Sequence, residues 1–167
     1  MGRIADLKSM ISEGRVGFCM DEVMSGDHEF EPGFGERGRR PMEFRVTWGP
    51  KHLGKWINPF GGEFMTQPLE GTVTIDGLCE NAPCCGTLEL KYFTEHLLRY
   101  TFEFEADNKR YKFVGEKVNI KPWNLPVSHT TCYGVLTEAA TGKLVSKSVT
   151  HFRMLTAPAF MASMRLA

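Results

Sequence analysis

The sequence predicts an all-β fold, an antiparallel β-barrel of about eight or nine strands with short terminal helices. Three observations predict it. Residues 86–118 hold three successive runs of period-two alternation. Leu88, Leu90 and Tyr92 form the first, Leu98, Tyr100, Phe102 and Phe104 the second, and Tyr111 and Phe113 the third, with polar residues between them. Such alternation gives each strand one apolar and one wet face, and the apolar face must be buried. The breaks between runs are short, as in hairpins. No long helix candidate is available to cover the sheet, so closure of the sheet upon itself buries the face and removes the edges. A two-layer β-sandwich is the alternative. The chain of 167 residues fits a single domain with a sizeable core.

Taken in order, Ile4, Leu7, Lys8 and Ile11 share one helical side, which predicts a short helix ended by Gly14. Residues 16–24 are strand-like, and the alternation continues through Met24, Gly26, His28 and Phe30, so His28 falls on an apolar side. The glycine-rich stretch 31–40 is a loop without the order of a phosphate loop. Met42, Phe44, Val46 and Trp48 mark a half-buried strand. Residues 51–68 are apolar but not periodic, which predicts a loop over the core, either fixed or hinged at Gly61-Gly62 as a lid. Residues 69–75 form a strand, and a break follows over residues 77–86. Ala106-Asp107-Asn108-Lys109 turns a hairpin. In the third run Gly115 and Lys117 follow Phe113 inward, unless a bulge near Gly115 turns Glu116 inward instead. Either arrangement brings a charge towards the interior. Residues 131–137 and 144–155 are strands around the turn 138–143, and the last strand has no wholly apolar face, as in a barrel wall with a partly polar lumen. The tail beyond Pro158 is a short apolar helix candidate.

Lys plus Arg equals Asp plus Glu at 20 each, which leaves no global positive field for nucleic acid. No run of about 18 apolar residues predicts a membrane span. Five cysteines, an odd number, and the polar start MGRIADLKSMISEGR predict a cytoplasmic protein with reduced thiols. Cys79, Cys84 and Cys85 do not have the paired spacing of a zinc site, and no metal or cofactor is expected.

The expected function is binding of a small apolar ligand (lipid, sterol or polyketide-like) in a barrel cavity. Trp56, Tyr100, Phe102, Tyr111, Trp123, Asn124 and Ser128 are the ligand-binding candidates, chosen as aromatic or hydrogen-bonding groups on the apolar face or in its loops. A cofactor-free isomerase, cyclase or hydratase using the same cavity is the first alternative, with His28, Glu116 and His129 as acid–base candidates. A non-enzymatic accessory subunit with a solid barrel is the second. A homodimer or another protein partner is compatible with the apolar tail. Trp56, Trp123, His28 and His129 are expected to share one cavity mouth. Gly54-Lys55-Trp56 resembles the G-x-W signature of the lipocalins, which are calycin barrels. In that family the motif opens the first strand, whereas here it lies in a loop, and it carries no residue roles over.

Overall fold

The period-two runs become an eight-stranded antiparallel barrel closed by its first strand. The computed structural model describes residues 9–10, 13, 16–120, 131–152 and 165–166. Eight strands, β1 (Phe18–Phe30), β2 (Arg40–Trp48), β3 (Thr66–Ile75), β4 (Cys79–Lys91), β5 (Leu97–Ala106), β6 (Lys109–Lys117), β7 (Thr131–Glu138) and β8 (Leu144–Phe152), pair each with the next. β1 then closes the wall, pairing with β2 from Met20 to His28 and with β8 from Met24 to Phe30. A ninth strand, β9 (Arg165–Leu166), adds to β1 opposite Phe18 and Cys19. Closure rules out the sandwich. No helix among the described residues is long and apolar enough to cross a membrane.

Strand direction gives the barrel two unlike ends. At the turn end the β3–β4 and β5–β6 hairpins are tight: Gly77 and the pair Asp107-Asn108 have φ of 85°, 50° and 60°, the left-handed conformation that such turns require. At the loop end lie residues 49–65, 92–96 and the chain leaving β6. The 49–65 segment contains one helical turn, α1 (Leu53–Trp56), and is fastened rather than free. Leu53 N–H bonds Val16 O (2.8 Å), Met65 N–H bonds Trp56 O (2.9 Å) and Leu90 N–H bonds Met65 O (2.8 Å). The G-x-W residues therefore sit in α1 and open no strand.

Several boundaries differ from expectation. The break expected over residues 77–86 shrinks to a turn, because β4 begins at Cys79. Alternation was hidden there by Pro83, which is tolerated because β4 pairs with β5 only from Cys84 onward. Thr66, Gln67 and Pro68, expected in a loop, belong to β3. Arg165 and Leu166, expected in a helix, are extended because β1 offers them an unpaired edge. Of the expected N-terminal helix, Ser9 and Met10 are helical and the rest lies outside the described residues.

The middle of the barrel is solid. Phe44, Phe102 and Phe113 meet there, with ring centroids 5.5 Å apart for Phe44–Phe102, 5.7 Å for Phe44–Phe113 and 4.7 Å for the stacked Phe102–Phe113 pair. Rings this large need a shallow wall opposite them. Gly115, Cys132, Gly134, Ser146, Ser148 and Thr150 supply it from β6, β7 and β8. A Cβ on Gly134 would collide with the Phe113 ring and Ser148 Oγ, and one on Gly115 would sit 2.7 Å from Phe113 Cε1. This explains why the last long strand has no apolar face: its inward serines and threonine are small before they are polar.

Phe102 is fully buried at the centre of this packing. Phe102→Ala is expected to cost about 3–5 kcal/mol in denaturant melts, since rings held by a closed wall collapse poorly into a void. A loss under about 1 kcal/mol would show a loosely packed lumen.

Candidate functional site

The parity of β1 that turns Met20 and Met24 inward also turns Glu22 inward. In β6 the register against β5 runs unbroken from Leu98↔Lys117 to Ala106↔Lys109, so no bulge intervenes at Gly115 and Lys117 points into the lumen. Both residues lie at the loop end, on strands that are not neighbours, and they meet across the interior. Lys117 Nζ is 2.8 Å from Glu22 Oε1, with side chains only 4% and 5% exposed. The Tyr100 hydroxyl donates to Glu22 Oε2 (2.9 Å) and Oε1 (3.1 Å), and Trp48 Nε1 donates to Oε2 (3.0 Å). Lys117 Nζ also stands 5.2 Å from the Tyr100 ring centroid. A buried ion pair is tolerated only when its remaining hydrogen-bonding capacity is met. Three charge-assisted donors do this for the carboxylate.

These groups line a cavity of about 350 Å³. Its other described walls are mostly apolar, from Met20, Leu88, Leu90, Leu98 and Phe152, with the Tyr92 ring beside them. The aromatic plug closes it inwardly, the Phe44 ring lying 5.6 Å from that of Tyr100. Burial, and then the negative charge of Glu22, push the Tyr92 phenol up to about 12 and the Tyr100 phenol well above its ordinary value. Both are neutral donors at physiological pH. Burial likewise raises the Cys132 thiol to about 12, so it supplies no thiolate nucleophile.

The structure disperses the residues expected to form one site. Tyr100 lines the cavity. Phe102 belongs to the plug beneath it, and Tyr111 is at the turn end, stacked on Phe104 at 5.6 Å. Trp56 is committed to Gln67 Oε1 through its Nε1 (2.6 Å) and to the Phe18 ring edge (5.6 Å), while Trp48 takes the place in the cavity wall. Glu116 faces outward and accepts from Arg99 Nε at 2.8 Å. His28 is at the turn end, so the shared mouth fails for geometric reasons: β1 carries it to the end opposite α1 and Trp56. Trp123, Asn124, Ser128 and His129 lie outside the described residues. Glu22, Trp48, Tyr92 and Lys117 were missed as site residues. The available signal was two opposite charges on inward parity at the same end of antiparallel strands.

His28 forms a polar contact with Ser146 that looks like half a catalytic pair. Its Nδ1 is 2.9 Å from Ser146 Oγ and its Nε2 is 2.9 Å from Asp76 O. A carbonyl can only accept, so Nε2 carries the proton and Nδ1 accepts from the serine. Both side chains are buried, and burial lowers the histidine pKa. The pair satisfies a polar core site, and both ring nitrogens of His28 are spent on partners inside the fold. A larger groove of about 780 Å³ crosses the outer wall past Val114, Tyr133, Val135 and Val149. Most of its polar groups, such as Lys147 and His151, are exposed, although His28 and Ser148 beside it are buried; the loop-end cavity holds a buried ion pair and so has the stronger chemistry. Among the described residues no three His, Cys, Asp or Glu side chains converge as a metal would require. Comparison with protein-family models, curated proteins and solved structures gives no match.

Two outcomes test this description. His28 is kept neutral in the fold, with a pKa below its ordinary 6.5. Below that value the unfolded chain takes up a proton that the native chain refuses. Its contribution to stability is therefore full above the unfolded pKa and declines as pH falls towards the folded one. Urea melts from about pH 7.5 to about pH 5 are expected to show a shallower decline in His28→Gln than in the parent. For the ion pair, Glu22→Gln or Lys117→Met alone is expected to cost about 3–5 kcal/mol, and the double variant less than their sum. Additive losses in that cycle would show that the two groups do not sense each other.

Proposed function

We propose that the protein binds a small apolar molecule with one uncharged polar end, in the loop-end cavity. The observation that carries this reading is the combination of apolar walls with the Glu22–Lys117–Tyr100 cluster buried among them. Ligand sites characteristically pair a mostly apolar lining with a few placed polar groups. The two charges of the cluster neutralise each other, so an anionic or cationic head group would enter without a counter-charge. A neutral carbonyl or hydroxyl can accept from Lys117 with no such penalty. At about 350 Å³ the cavity lies near the lower limit of ordinary ligand pockets, which favours the smaller members of the lipid, sterol and polyketide-like classes. A cofactor-free enzyme is the second reading, and the same cluster favours it: a carboxylate 2.8 Å from an amine is a ready proton-transfer pair.

Titration calorimetry with nonanol and nonanoate tests the first reading. Saturable binding of the alcohol, weaker binding of the carboxylate, and a loss of about tenfold or more in Leu90→Trp, which fills the wall, are expected. Failure of both probes to bind, or unchanged binding in Leu90→Trp, would overturn the assignment to this cavity.

A further inference from the structure

We propose that Lys117 captures apolar aldehydes covalently, as an iminium ion paired with Glu22, in the loop-end cavity. The proposal rests on the ligand-binding reading and names the chemical class of the ligand.

Four observations lead to it. Lys117 lines the cavity, although its side chain is only 4% exposed. Among the described residues its ammonium has one hydrogen-bond acceptor, Glu22 Oε1 at 2.8 Å, which leaves N–H groups unused beside an apolar space. The carboxylate that would take a proton from it is already in contact and is held in place by Tyr100 and Trp48. The Tyr100 ring flanks the nitrogen at 5.2 Å and favours a cation there whether it is an ammonium or an iminium.

The chemistry conserves what the site is built to hold. Glu22 takes one proton from Lys117 Nζ, and the freed lone pair attacks the aldehyde carbon. A carbinolamine forms, with one N–H proton moved to the former carbonyl oxygen. Glu22 returns its proton to that oxygen, which leaves as water while the nitrogen lone pair closes the C=N bond. The sum is ammonium plus aldehyde giving iminium plus water. The buried positive charge, its N–H donor and the Glu22 carboxylate are all retained. An acylation or an alkylation to neutral nitrogen would instead leave Glu22 as an unpaired buried charge. Exposed lysines offer no such shelter: the side chains of Lys55, Lys109 and Lys147 are 61–66% exposed, so their imines stand in water and hydrolyse. An apolar chain on the aldehyde would cover Leu88, Leu90 and Leu98.

Reductive trapping tests the proposal. The intact protein is incubated with nonanal and cyanoborohydride, which reduces an iminium to a stable secondary amine, and the adduct is mapped by peptide mass spectrometry. The expected result is one adduct per chain, on Lys117, before the exposed lysines react, with nonanol slowing its formation. Glu22→Gln is expected to slow it by about tenfold or more, the usual scale of a lost proton-transfer group. Lys117→Arg, which keeps the charge, is expected to lose that adduct alone; if the variant does not fold, competition by nonanol on the parent protein decides. Adducts scattered over exposed lysines with Lys117 unmodified would overturn the proposal. Binding of nonanol without any Lys117 adduct would overturn the iminium and leave the ligand-binding reading standing. Absence of both would overturn the two together.

Discussion

An eight-stranded barrel has a lumen about one layer of side chains wide, and three phenylalanines occupy its middle here. The rest of the architecture follows from where that bulk is placed. β2, β5 and β6 supply the rings, so β7 and β8 must be shallow, and they are lined with glycine, serine, threonine and cysteine. The plug also divides the interior. On one side His28 and Ser146 settle a polar core contact under tight hairpins. On the other, the described side chains leave a cavity.

Within that cavity the electrostatics are arranged around a single carboxylate. Glu22 is accepted into the interior because an ammonium, a phenol and an indole all donate to it. Burial, and then the charge of Glu22, keeps Tyr100 a neutral donor to it. Loss of either charge strands the other in a medium that solvates it poorly. The cluster therefore holds a proton donor and a proton acceptor in direct contact at 2.8 Å.

Much of the fold was legible because a closed barrel obeys one rule, strict inward–outward parity. Leu98, Tyr100, Phe102 and Phe104 announced it, and so did the serines and threonine of β8, whose mixed face is what a lumen opposite large rings demands. Legibility failed where local chemistry masked the parity. Pro83 and the glycines and cysteines around it read as a break, yet a proline is harmless where only one side of the strand is paired. The site was only half legible. The inward turn of Lys117 followed from its run, but Glu22 lay in a segment that reads as simply apolar, and nothing local indicates that β1 and β6 face each other. Trp56, drawn to attention by its loop, and His28, by its place on an apolar strand face, are held at opposite ends by their own partners. Which polar residues converge is a property of strand direction and closure, and composition does not encode it.

The plug has a kinetic consequence. With the centre of the barrel filled by packed rings, the lumen is a blind alley and not a conduit. Whatever enters the cavity from the loop end must leave by that end. A newcomer cannot push an occupant out from behind, so exchange proceeds by departure first and arrival second. The rate of replacement is then set by the resident alone, however high the concentration of its competitor.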